Sequence, residues 1–169
     1  MDREEYIKEA RAKFNSYNTS SWKRVYFDEH SGGYNVYHKE HKFTKIGGGG
    51  EAEMFVGIML AKNCGKQIEF LPEGKKKGPD VKFDEQTWDI KSISRANENT
   101  IRKYILDARK ADNAIFYWNE NNKLADLKNA MNREAGRLLK GQICRLPDIY
   151  YIDRDRFLKL LWEKQKETK

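Results

Sequence analysis

The chain has 169 residues, and its 33 Lys and Arg against 26 Asp and Glu leave a formal charge of +7 at pH 7. That length suits one domain with a real hydrophobic core, and four Trp, nine Tyr and eight Phe are too many large rings for a disordered chain. No apolar run reaches the roughly 18 residues of a membrane span, residues 1–13 lack the apolar stretch of a secretory signal, and the isolated Cys64 and Cys144 support neither a zinc ribbon nor a disulfide framework. The expectation is a cytoplasmic protein with a polyanionic partner and no membrane.

A helix is predicted over residues 2–14. Polar residues follow it, then short alternating strands at 22–27 and 34–38 around a Ser31-Gly32-Gly33 hairpin signal. This segment is rich in rings, among them Tyr17, Trp22, Tyr26, Phe27, Tyr34, Tyr37 and Phe43, and poor in aliphatics. Packing of those rings against the main core is favoured over stacking on unpaired bases beside Lys23, Arg24, Lys39, Lys42 and Lys45. Gly47-Gly48-Gly49-Gly50 resists regular structure, because each glycine loses much backbone freedom on ordering. The organisation expected is therefore an N-terminal unit over 1–46, a glycine hinge at 47–50 and a main domain over 51–169. The glycines lack the Lys-Ser/Thr ending of a P-loop, which disfavours nucleotide binding.

Beyond the glycines a helix is predicted at 51–63, with Phe55, Ile58, Met59 and Leu60 apolar and Gly65 just past its end. Strands follow at 67–71, 80–83 and 88–93, the last two joined by a turn at Asp84-Glu85-Gln86. Asn99 or Thr100 caps a helix running to Lys110, with Ile101, Tyr104, Ile105 and Ala108 on one face. A strand at 114–118, a helix at 124–140 ending at Gly141 and a strand at 149–152 come next. Asp153 is read as the cap of a final helix carrying Phe157, Leu160 and Leu161. The fold class expected is α/β, a mixed, partly antiparallel sheet flanked by helices.

The stretch from Gly78 to Lys91 carries the chemistry. Asp80 opens one strand, and Asp89 and Lys91 lie on the next. With a strand period of two, Asp89 and Lys91 share one side while Trp88 and Ile90 take the other, and a hairpin brings Asp80 close to Asp89. Neighbouring carboxylates repel unless a cation sits between them, which suits a divalent-metal site. Lys91 then places positive charge near a phosphate oxygen or an attacking water. The acid-x-Lys spacing recurs at Glu40/Lys42, Glu73/Lys75, Asp126/Lys128 and Glu167/Lys169. Only the Asp80…Asp89-x-Lys91 copy joins it to a second acid, a strand-turn-strand context and a preceding helix that begins with acids. The plain alternative is a solvated hairpin whose charges face water.

These residues make the chain, over residues 51–118, resemble the PD-(D/E)XK nuclease superfamily: an acid-bearing helix, a strand, Pro79-Asp80, Asp89-Ile90-Lys91, a helix and a strand. More narrowly, the helix ending near Asn63–Gly65, the strand at 68–71, the Asp89-Ile90-Lys91-Ser92-Ile93 strand, the helix at 101–110 and the strand at 114–117 are similar to the tRNA-nuclease domains of contact-dependent growth-inhibition toxins. Related domains occur on phage and mobile-element proteins. The resemblance implies a restriction-endonuclease-like core of α-β-β-β-α-β order, with the aromatic N-terminal segment as an extension to it. It implies Mg²⁺ or Mn²⁺ held by Asp80 and Asp89, with the Ile90 carbonyl as a further ligand and Glu51 or Glu53 completing the site. It also implies bacterial or phage origin, a nucleic-acid substrate with tRNA-like RNA ahead of DNA, and a cognate inhibitor protein. For RNA, metal-free attack by the 2′-OH with Lys91 and the carboxylates as proton shuttles stays open beside the metal route. A DNA endonuclease of restriction or repair type is the alternative within enzymes. A catalytically inactive nucleic-acid or protein binding module of the same fold is the alternative outside them.

Several basic residues are candidates for the phosphate backbone. Lys75-Lys76-Lys77 lies in a glycine-flanked loop directly before Pro79-Asp80, and reads equally well as an ordinary solvated loop. Arg95 follows the Lys91 strand. On the next predicted helix Arg102/Arg109 and Lys103/Lys110 repeat at seven residues and form basic stripes beside the apolar face. Arg133, Arg137 and Lys140 read as solvated. His38 and His41 have a zinc-compatible spacing only on a helix, whereas they read as strand or loop, and they stay outside the primary site.

Overall fold

Asp2 starts the fold by accepting a hydrogen bond from the Glu5 amide at 2.8 Å, which caps helix α1 (Arg3–Ser16). The structure, a computed structural model, describes residues 1–43, 50–75, 78–93, 97–118, 123–141, 146–153 and 155–163. Of the glycine hinge predicted at 47–50, residues 47–49 lie outside the described residues, and Gly50 begins a helix. After α1, strands β1 (Trp22–Phe27) and β2 (Tyr34–His38) form a hairpin. Its turn is held by Asp28, whose carboxylate accepts from the Ser31 amide at 3.0 Å and the Ser31 hydroxyl at 2.5 Å. Gly32 there takes a positive φ of 76°.

Helix α2 (Gly50–Cys64) is followed by β3 (Gln67–Phe70), β4 (Val81–Phe83) and β5 (Gln86–Ile93). Helix α3 (Glu98–Asp107) continues into a 3-10 turn (Ala108–Lys110) and leads to β6 (Asn113–Trp118). Helix α4 (Leu124–Lys140), β7 (Asp148–Ile152) and β8 (Leu158–Trp162) are the last of the described elements. Among the described residues eight strands form one mixed sheet in sequence order. Pairing is parallel at β2–β3, β5–β6 and β6–β7 and antiparallel at the other steps.

The last element corrects the sequence reading: 158–162 is a strand, not a helix. Asp153 does cap, but its carboxylate accepts from the Phe157 amide at 2.8 Å inside a hairpin turn, and its own amide donates to the Phe157 carbonyl at 3.0 Å. The same Asp signal serves a turn as readily as a helix start.

The two faces of the sheet are covered differently. Val56, Met59 and Leu60 of α2 pack on Ile68, Phe70, Val81, Trp88, Ile90 and Ile115. On the opposite face, α3 and α4 bury Ile101, Ile105, Leu127 and Met131 against Ile93, Phe116 and Ile149, while Phe14 of α1 packs with Tyr34 and Val36. Each such fully buried side chain contributes about 1.5–3 kcal/mol. Between α1 and α3 that second face continues over β3 and β4, where Glu69 is half-buried and Lys82 exposed.

Candidate active site

The antiparallel β4–β5 pairing and the period of two decide the geometry. Trp88 and Ile90 face α2, so Asp89 and Lys91 face the α3 side. Asp80 sits one residue before β4. Its amide donates to the Trp88 carbonyl at 3.1 Å, and its Oδ2 accepts from the Ile90 amide at 2.9 Å. The hairpin thus sets the Asp80 and Asp89 carboxyls side by side.

Asp89 is fully buried, whereas Asp80 and Lys91 are partly open. Among the described residues neither Asp89 oxygen has a well-directed hydrogen bond. Two ammonium groups face them instead: Lys91 Nζ lies 3.0 Å from Oδ2 and Lys110 Nζ 3.3 Å from Oδ1. Lys91 also stands 4.0 Å from Asp107 Oδ2 and 5.7 Å from the centre of the Tyr104 ring. Burial, and then the adjoining Asp80 carboxyl, push the Asp89 pKa up to about 7 against the pull of Lys91 and Lys110. For Lys91 burial works downward, but Asp89, Asp80 and Asp107 together outweigh it, so its pKa rises and it stays a cation.

Glu53 is placed elsewhere. It is buried on α2, on the other side of the sheet from Asp89, with its Oε2 3.5 Å from His41 Nε2. His41 is also buried, and its Nδ1 lies 2.7 Å from the Leu71 carbonyl, to which it donates. Burial lowers the His41 pKa, yet Glu53, the Leu71 carbonyl and Glu73 raise it further, leaving it above the usual histidine value. Leu71 in turn donates its amide to the Asp80 carbonyl at 2.9 Å. His41 and Glu53 thus brace the strand that adjoins Asp80 without joining the Asp80–Asp89 pair. Among the described residues no three His, Cys, Asp or Glu side chains converge as metal ligands. Glu51 lies on α2 and its side chain is outside the described residues.

Of the basic candidates, Lys75 is exposed in the loop before Asp80, and Arg102, Lys103 and Arg109 are exposed on α3 and its closing turn. Arg102 donates to Asn99 Oδ1 at 3.1 Å. Lys76, Lys77 and Arg95 lie outside the described residues. Sequence reasoning missed Tyr104, Asp107 and Lys110 as neighbours of the pair, and His41 as the partner of Glu53. Tyr104, Asp107 and Lys110 do recur at intervals of three, a spacing that marks one face of a tightened helix end.

Asp80 and Asp89 are the residues able to hold a hard divalent cation. They offer oxygen donors only, two of them buried without a directed hydrogen bond, and Mg²⁺ commonly takes one or two protein carboxylates and keeps several waters. Comparison with protein-family models, with curated proteins and with solved structures finds no match for this chain.

Proposed function

We propose that this protein is a phosphodiesterase that cleaves nucleic acid, built on a PD-(D/E)XK-like core. The observation that carries the reading is the pairing of the Asp80 and Asp89 carboxyls beside Lys91 Nζ. Support also comes from α2, β3, β4, β5, α3 and β6, which follow one another in the order the resemblance implies. Asp80 and Asp89 would hold Mg²⁺ or Mn²⁺, which when bound would neutralise charge on the phosphate and lower the pKa of an attacking water. Lys91, fixed by Asp89 and Asp107, presents its ammonium to the charge that develops on the phosphate in the transition state. The net charge of +7 favours a polyanionic substrate. RNA of tRNA type stands slightly ahead of DNA on the likeness of the segments between residues 63 and 117 to toxin nuclease domains, and a cognate inhibitor protein is the partner that likeness implies. A second reading, a binding module of the same fold without turnover, is favoured by one observation: Glu53 is paired with His41 rather than with Asp80 and Asp89.

The test is cleavage of total tRNA and of plasmid DNA by the purified chain, each with Mg²⁺, Mn²⁺ or EDTA, beside Asp80→Ala and Lys91→Ala. Discrete RNA fragments that disappear with both variants are expected. Cleavage of DNA alone would replace the RNA reading, and persistence in EDTA would remove the metal. Variants that cut like the wild type would end the assignment of the site. Salt-sensitive binding without cleavage in any metal would establish the binding module.

A further inference from the structure

Lys110 is a cation at the Asp80–Asp89 pair that arrives from outside the hairpin. Helix α3 ends at Asp107, and the next three residues tighten to a 3-10 turn. In a continuing α-helix residue 110 would lie about 60° round from residue 107; with three residues per turn it comes directly into line with it. Lys110 thereby falls in line with Asp107, which lies on the side of α3 that Tyr104 also turns toward β5. Tyr104 and Asp107 address Lys91, the ring at 5.7 Å and the carboxylate at 4.0 Å, while Lys110 addresses Asp89 Oδ1 at 3.3 Å. The two lysines are therefore held differently. Lys91 is braced by Asp89, Asp107 and the Tyr104 ring, whereas Asp89 is the ion-pair partner of Lys110 among the described residues. The Lys110 side chain is also the more open, 22% exposed against 16%. A divalent ion bound by Asp89 through Oδ1 would take the oxygen that Lys110 now faces, and the freed ammonium, on its four-carbon stem, would have a substrate phosphate within the same site.

On the nuclease reading, on which this rests, we propose that Lys110 is a second substrate-contacting cation, which holds Asp89 Oδ1 until a divalent ion takes that oxygen and then engages a phosphate of the strand being cut. Two consequences separate this role from a structural one. Lys110 competes with the metal, so its removal strengthens metal binding in the absence of nucleic acid. It also contacts phosphate, so its removal makes nucleic-acid binding less dependent on salt.

The experiment uses the full chain as wild type, Lys110→Met, Lys110→Arg, Asp89→Asn and, as a control for net charge, Lys128→Met on the exposed side of α4. Mn²⁺ affinity is measured by calorimetry without nucleic acid, tRNA binding across a salt series, and cleavage under steady-state conditions. For Lys110→Met we expect Mn²⁺ affinity to rise about tenfold with the loss of an adjacent like charge. The slope of log affinity against log salt should become shallower by about 0.7–0.9, the value of one phosphate contact. kcat/KM should fall at least about tenfold, mostly through KM. Lys110→Arg should keep the wild-type salt slope, and Lys128→Met should change none of these. Lys110→Gln, which keeps a polar end against the buried carboxylate, stands in if the Met variant loses its melting transition.

An active wild type with unchanged Mn²⁺ affinity or an unchanged salt slope in Lys110→Met overturns the assignment of Lys110 and leaves the nuclease standing. A wild type that neither binds nor cuts nucleic acid overturns the nuclease reading and this assignment with it.

Discussion

Asp89 is a carboxyl buried between a second carboxyl and two ammonium groups, and its protonation ties the site to the stability of the fold. Its pKa of about 7 against the ordinary 3.8 means that the folded chain holds the proton more tightly than the unfolded chain does. The stability this protonation contributes is complete below about pH 4 and is lost as pH rises through about 7. Over that window the loss amounts to on the order of 4 kcal/mol. Urea midpoints between pH 5 and 8 should therefore fall more steeply for the wild type than for Asp89→Asn, which carries no titrating proton there. Equal slopes would show that the Asp89 carboxyl is not held above its ordinary range in solution. Mn²⁺ should raise the melting temperature more at pH 8 than at pH 5, because at the lower pH it competes with that proton; an effect independent of pH, or one retained in Asp89→Asn, would argue against binding at this pair. How near Asp80 comes to Asp89 was legible in the sequence, since Asp80 adjoins β4, Asp89 lies on β5, and a tight turn joins the two strands. The Lys110 contact was not legible. A 3.6-residue period groups Lys110 with Lys103, and only the shortened turn after Asp107 parts them, leaving Lys103 exposed and Lys110 against Asp89. His41 was equally hidden, because its link to Glu53 joins a loop to a helix across the uninformative glycines.

At the scale of elements, two backbone positions show what this fold demands of its sequence. The β4–β5 hairpin turns at Asp84 and Glu85, whose φ values of 51° and 60° both lie in the left-handed region. That is the two-residue turn whose twist matches the strands, usually made with glycine or asparagine. A non-glycine residue there costs roughly 1 kcal/mol, so Glu85→Gly should raise stability by about 0.5–1 kcal/mol in denaturant unfolding. A loss of stability would mean that the exposed Glu85 side chain has a role the turn does not explain. Gly33 presents the opposite case. A Cβ there would lie 2.0 Å from the Ala61 carbonyl oxygen of α2, a backbone atom that cannot swing aside. Gly33→Ala should cost about 3 kcal/mol or more, read as a lowered midpoint, because β2 and α2 must separate. The strands and helices from 2 to 152 were readable because turns and periodicity agree locally, although α3 is capped by Asn97, whose side chain accepts from the Asn99 amide, and not by the predicted Asn99 or Thr100. The β7–β8 hairpin was not, since Asp153 followed by apolar residues suits a helix start and an Asx-type turn alike. What decides it is pairing with β7: Leu158, Lys159 and Leu160 stand opposite Ile152, Tyr151 and Tyr150.

For the whole molecule, the question is whether residues 51–169 form a unit that residues 1–46 merely decorate. The parallel steps β2–β3, β5–β6 and β6–β7 run the same way across the sheet, yet α2 covers one face and α3 and α4 the other. The β2–α2–β3 crossover consequently has the opposite hand to the other two, and one hand is rare in such connections. A hairpin added at the edge of a preformed core would produce that arrangement, because the core's own helix already lies on its face. Packing, however, ties the added edge closely to the core. β2 supplies the parallel partner of the whole of β3, Asn35 reaches Met54 at 3.5 Å, Gly33 abuts Ala61, and Phe43 and His41 pack on Phe70. Removing residues 1–46 would leave the backbone groups of β3 unpaired along one edge and would strip the cover from Phe70, where Glu53 loses His41 as well. The expected outcome is that a 51–169 fragment shows no cooperative thermal transition, while the full chain unfolds in one step with tryptophan fluorescence and far-UV circular dichroism coincident. A fragment that melted cooperatively and still cut nucleic acid would instead make β1 and β2 an accessory to a self-sufficient catalytic core. The pair test at Asp80 and Asp89 could then be carried out on the smaller unit, since none of the groups facing that pair comes from residues 1–46 among the described contacts.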